Sequence, residues 1–163
     1  GFASMCHIIL EQQVSIESAK ACYVKIQNLL GEIHPETILN TSDESLRSSG
    51  VSRQKIIYLK DLAHKVLANQ INFESYPSKT ETEIRNELIT VKGVGNWSIE
   101  VYLMFCLQSP DVVPLGDIAI KNTLKELYHL ALLPQKKKQD LKFIINFKNQ
   151  CQFQKSISSV TDY

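Results

Sequence analysis

Closely spaced cysteines are missing from this chain. Its four, Cys6, Cys22, Cys106 and Cys151, stand far apart, each in an apolar helical pattern. That distribution argues against a disulfide framework and for buried free thiols in a reducing compartment. The histidines are equally scattered: His7, His34, His64 and His129 have no metal-ligand spacing, so metal catalysis is not indicated. No apolar run approaches the roughly 18 to 20 residues that cross a bilayer, so no membrane partner is expected. The start, Gly1-Phe2-Ala3, has neither an initiator Met nor a basic signal-peptide region, so a processed or trimmed chain is expected and secretion is unsupported. An excess of one charge is lacking too. A net charge of +1 does not announce a nucleic-acid binder, so local distribution has to carry any such argument.

What is present is helical periodicity. At 163 residues and 44% hydrophobic content the chain suits one domain, or one domain and part of a second, with enough apolar side chains for a buried core. Phe2, Cys6 and Ile9 recur at helical spacing; Ala19, Cys22, Ile26 and Leu29 do so in a second segment, which Ser15 caps and Gly31 ends. Pro35 suits the first turn of a short helix, and Ser42 with Asp43 and Glu44 opens another that Gly50 terminates. Ser52 starts a long helix with Ile56, Leu59, Ala63 and Val66 on one face. Thr80 and Glu83 match a capping box ahead of Ile84 and Leu88. Val101, Met104 and Phe105 mark one further helix, and Ile120, Leu124, Leu127 and Tyr128 another. No segment alternates well enough to require a strand, and there is no repeat or low-complexity tract. Polar residues from Asn69 to Lys79, with Pro77, punctuate the pattern and suggest two helical lobes in one core.

The chemistry concentrates between Leu88 and Lys121. Gly93 and Gly95, in Val91-Lys92-Gly93-Val94-Gly95-Asn96-Trp97-Ser98, remove Cβ atoms where a tight connection needs positive φ or close approach. Between two helices this is either an ordinary αα-turn or a phosphate site, with the amides of Gly93, Gly95 and Trp97 near a helix N-terminus, Lys92 adding charge and Asn96 as N-cap. Downstream, Asp117 in Pro114-Leu115-Gly116-Asp117 opens the helical pattern 118–130, either as a plain N-cap or as a functional carboxylate that the helix dipole keeps ionised. Lys121 and Lys125 lie close to it in sequence. The run Lys136-Lys137-Lys138 reads first as a solvated helix start and second as a phosphate contact.

These blocks resemble the helix-hairpin-helix (HhH-GPD) DNA glycosylase superfamily, and most closely its 3-methyladenine glycosylase II branch, from Glu11 to about Leu130. The hairpin from Val91 to Glu100 and the segment Asp111 to Lys121 carry most of the likeness. Glu11-Gln12-Gln13-Val14-Ser15 resembles the family's Gln-Gln-aliphatic-Ser junction, and the stretch Gly50 to Ala63 its Gly-aliphatic-Ser-x-x-Lys helix. The resemblance implies an all-α, two-lobed catalytic core over residues 1–163, with its helix-hairpin-helix at about 84–106. It implies a monofunctional glycosylase that removes alkylated purines of the 3-methyladenine type from double-stranded DNA, acting as a monomer in a prokaryotic cytoplasm or a eukaryotic nucleus.

The resemblance also assigns roles. Asp117 becomes the catalytic carboxylate that stabilises positive charge on the sugar as the base departs. Trp97 stands where bifunctional relatives carry a Schiff-base lysine, which an indole cannot replace. It stacks on the cationic alkylated base or packs beneath the hairpin, and Val101 joins it in the base pocket. Gln13 occupies the wedge position that fills the gap left by a flipped nucleotide, or is a plain helix-end glutamine. Lys92, Gly93, Val94, Gly95, Asn96 and Ser98 hold the DNA backbone. No metal or iron-sulfur cluster is expected, since the family's close-set C-terminal cysteines are absent; a monovalent cation at the hairpin is compatible. The N-terminal β-rich domain of some members and the C-terminal aromatic-Arg-Ser helix are not recognisable, which leaves the preferred base open. The competing readings are a glycosylase for another base, a non-catalytic DNA-binding module of the same motif, and a helical protein-interaction scaffold.

Overall fold

In the computed structural model, residues 1–109 are described together with Val112, Pro114, Gly116 and Asn122. Asp117, Lys121, Lys125, Cys151 and the lysine run 136–138 lie outside the described residues. The described residues form seven α-helices, one 3-10 helix and no strand. In order these are α1 (Phe2–Glu11), α2 (Ile16–Leu30), α3 (Pro35–Asn40), α4 (Asp43–Ser48), α5 (Arg53–Leu67), the 3-10 helix Phe73–Ser78, α6 (Glu81–Leu88) and α7 (Asn96–Phe105).

Local chemistry sets most of the boundaries. Ser15, Ser42 and Ser52 each accept a hydrogen bond from the backbone three residues on, satisfying one of the amides that a helix N-terminus leaves without a partner. Pro35 begins α3, where its missing N–H costs nothing. Gly31 ends α2 at φ +72, a conformation that an L side chain resists. Thr80 and Glu83 form the reciprocal capping box at the start of α6.

The chain divides into two compact units, Gly1–Leu107 and Gln108–Tyr163, and all of these helices belong to the first. Within it α1 is central and packs on α2, α5 and α7. Its Met5 and Ile9 are fully buried, as are Leu59, Leu62 and Ala63 of α5. Each such Leu or Ile contributes about 1.5–3 kcal/mol relative to an exposed position. On α2 the expected stripe is only partly covered, since Ala19 and Ile26 are buried but Leu29 is 45% exposed.

Two expectations need correction. The segment from Asn69 to Lys79 is more than punctuation: Ile71 and Tyr76 are buried, and Phe73 and Tyr76 pack edge to face, their ring centroids 5.2 Å apart. Tyr102 of α7 completes the cluster at 5.6 and 6.0 Å from those rings. The aromatic spacing, hidden among polar residues and Pro77, folds the segment into the first unit. The cysteines also differ from one another. Cys6 is buried, but Cys22 is intermediate and Cys106 exposed; all three are free thiols.

Candidate nucleic-acid interface

The hairpin between α6 and α7 is built by local bonds and fastened by distant ones. The amide of Val91 donates to the Leu88 carbonyl and that of Val94 to the Val91 carbonyl, each at 3.1 Å, which closes a tight turn around Lys92 and Gly93. Val91 and Val94 are buried and hold the turn to the core. Gly93 has φ +73, and a Cβ placed on it would lie 2.1 Å from the Tyr58 ring of α5. Both reasons for a glycine therefore apply there. Asp61, one turn further along α5, accepts the Lys92 amide at 2.9 Å and pairs with the Lys92 ammonium at 3.5 Å. The Lys92 side chain is 66% exposed, so this ion pair is screened and leaves the cation facing solvent.

Gly95 is glycine for another reason. It is the N-cap of α7 with extended φ −112, and an added Cβ would meet nothing within 4 Å. Asn96 is the first residue of α7 and not its cap, which corrects the expectation from sequence. Asparagine favours both places, and the boundary moves by one residue because the Gly95 carbonyl already accepts the Ile99 amide at 3.1 Å. Gly95, as the N-cap, has no side chain with which to cap this helix start. The positive end of the helix dipole, an open Gly95 face and the exposed Lys92 thus stand together, an arrangement suited to an anion.

The structure brings Lys92, Gly93, Val94, Gly95, Asn96 and Ser98 into this one turn. Val94 and Ser98 are buried, so what they can offer a ligand is backbone. Trp97 is half-buried on the first turn of α7, and Val101, one turn on, is buried.

A second exposed turn links α1 to α2. Gln13 has φ +56, a left-handed conformation uncommon for a residue with a Cβ, and it is exposed beside Val14 and Ile16, 47% and 75% exposed. Lys55 of α5 donates to the Leu10 carbonyl at 2.7 Å, satisfying one of the last carbonyls of α1. Partial burial pulls this ammonium below the usual lysine range and pushes the Cys22 thiol up. The two side chains line an open cleft of about 270 Å³ with Leu10, Gln12, Gln13 and Ala19. Gln12 reaches the other way, donating to the Gly93 carbonyl at 2.8 Å and to the Ser98 hydroxyl at 2.9 Å.

Gln12, Tyr58 and Asp61 had no assigned role in the sequence reading. All three lie inside the two weaker motif blocks, but their partners are 31 to 86 residues away for Asp61 and Gln12, beyond any local pattern.

An all-helical unit with a glycine hairpin of this kind defines a class of DNA-handling folds. The chain belongs to the HhH-GPD superfamily of base excision DNA repair proteins, whose profile matches residues 6–146. It is 29% identical over 144 residues to DNA-3-methyladenine glycosylase 1 of Schizosaccharomyces pombe, a match that covers 83% of this chain and 61% of that protein. Among solved structures it is similar to the DNA-3-methyladenine glycosidase of Bacillus halodurans, with 30% identity and a TM-score of 0.72 over 91% of this chain and 67% of the other. It is also similar to the S. pombe 3-methyladenine DNA glycosylase in complex with abasic DNA, with 25% identity and a TM-score of 0.75 over 91% and 71%. The chain spans about half to three-fifths of the length of the curated relatives it matches.

Proposed function

We propose that this chain is the catalytic domain, over residues 1–163, of a monofunctional DNA glycosylase that hydrolyses the N-glycosidic bond of alkylated purines of the 3-methyladenine type. The observation that carries this reading is the hairpin: Gly93 is required by the protein's own packing, whereas Gly95 meets none of the described residues at a helix start whose N-cap has no side chain, beside an exposed lysine. A phosphate of a double-stranded DNA partner fits that position. Similarity to 3-methyladenine glycosylases on both sequence and structure supports the choice of chemistry.

In this reading the hairpin amides and Lys92 hold the backbone in register, contacts that position without reading sequence. The damaged nucleotide leaves the stack, Gln13 fills the gap, and Trp97 with Val101 receives the base. Asp117 supplies the negative charge that stabilises the oxocarbenium-like sugar and orients water. Trp97 takes the motif position where a lyase carries its amine, and Lys92 occupies a different position of the motif. The hairpin carbonyls of Val91 and Gly93 each accept one hydrogen bond already, which leaves one lone pair apiece for a monovalent cation. A monomer suffices for all of these roles.

The test is base release from duplexes carrying alkylated, deaminated or oxidised bases. Release of alkylated purines in preference to the others is expected. Binding to DNA with no release from any of them would favour a non-catalytic module, and no affinity for DNA would remove the reading.

A further inference from the structure

Gln12 sits at the joint between two separately anchored parts. On one side is the turn that presents Gln13, held through the Lys55 bond to Leu10 and the Ser15 cap of α2. On the other is the hairpin, held to α5 by Asp61 and by the fit of Gly93 against Tyr58. The Gln12 amide spans them, with Nε2 donating both to the Gly93 carbonyl and to the Ser98 hydroxyl. The Gly93 carbonyl only accepts, so the nitrogen must be the atom that faces it. Asparagine is a methylene too short for the same reach, and glutamate has no donor. Gln13, the next residue, is held at φ +56, a strained choice that persists where the surroundings over-determine it.

We propose that Gln12 is a positioning residue that keeps the Gln13 turn in register with the hairpin, so that the side chain filling the flipped-out gap meets the duplex at a height set by the phosphate contact. This rests on the reading above, in which Gln13 is the wedge and the hairpin binds the backbone. Because the hairpin keeps its own anchors on α5, loss of Gln12 frees the turn and spares the phosphate site.

The experiment compares two duplexes of one sequence, undamaged or carrying a tetrahydrofuran abasic analogue opposite 2-aminopurine. Gln12→Leu should leave the affinity for the undamaged duplex and its salt slope unchanged, while preference for the abasic duplex falls about tenfold, the scale of two lost hydrogen bonds. The 2-aminopurine fluorescence change on binding should shrink in parallel. Gln13→Ala should lower the same preference alone but add little in the Gln12→Leu background, where the wedge is already out of register. Additive effects, or a Gln12→Leu protein that keeps full preference, overturn the proposal. If Gln12→Leu folds poorly, Gln12→Met keeps the length and volume, removes the donor and adds no charge beside the phosphate site, with the same expectation. A wild-type chain that binds both duplexes equally removes the parent reading; wild-type preference without coupling between positions 12 and 13 removes only the role of Gln12.

Discussion

Gly93 lies so close to the ring of Tyr58 that a single added carbon would stand 2.1 Å from it, at a backbone φ of +73. Gly95, two residues on, has open space around it. The two glycines of one motif therefore answer to different demands, and mutation separates them. Gly93→Ala should cost about 2–5 kcal/mol through left-handed backbone strain and overpacking, read by urea unfolding. Gly95→Asp should leave stability unchanged or raise it, since aspartate is a better N-cap than glycine. Its charge against a phosphate should nonetheless weaken DNA binding roughly tenfold and lower the salt slope by about one. An unaffected, folded Gly95→Asp protein would count against the hairpin as the binding site.

Asp61 fastens the hairpin from α5 by accepting the Lys92 amide. Asp61→Ala should lower stability by about 1 kcal/mol and speed hydrogen exchange at the Lys92 amide. Asp61→Asn keeps an acceptor oxygen and should lose less. Equal exchange in wild type and Asp61→Ala would show that the hairpin does not depend on this contact.

The catalytic assignment rests on charge. Asp117→Asn should reduce single-turnover base release by at least about a hundredfold while binding to an abasic-analogue duplex stays largely intact. Unchanged excision would falsify the role given to Asp117.

In the proposed monofunctional reading Trp97 takes the place of a lyase's amine, so the product should be an intact abasic strand that breaks only on treatment with alkali or heat, and borohydride should trap no covalent complex. Trp97→Ala should weaken excision by about 1–3 kcal/mol, the scale of one stacked base. Efficient trapping by the wild type would instead direct attention to Lys92 or Lys121 as nucleophile.

The capping box of α6 supplies a pH dependence. The Thr80 hydroxyl, then its amide, hold the Glu83 carboxyl below the usual glutamate range. A carboxyl depressed in the folded state stabilises it above its unfolded pKa, and that contribution disappears as pH falls through the folded value. Glu83→Ala should thus be less stable than wild type at neutral pH, with the gap narrowing in acid. A gap that stays constant into strong acid would mean the effect is helix propensity and not the charged cap.

Helices α1 to α7, the serine and threonine caps and the hairpin follow from the residues alone, because 3.6-residue periodicity and capping act over a few positions, whereas the cap of α7 and the 3-10 helix Phe73–Ser78 do not. Ser15, Ser52 and Thr80 start helices, as their local context dictates. Gly-Val-Gly between two helical patterns marked the turn for the same reason. The tertiary structure decided what the turn rests on and what it offers: Tyr58 explains Gly93, none of the described residues occupies the open side of Gly95, and Gln12 joins the hairpin to a turn some 80 residues earlier. It also gathered Phe73, Tyr76 and Tyr102 around a segment that reads as a linker. Such contacts depend on how helices cross in space, and a side chain's neighbours across that distance leave no period in the sequence.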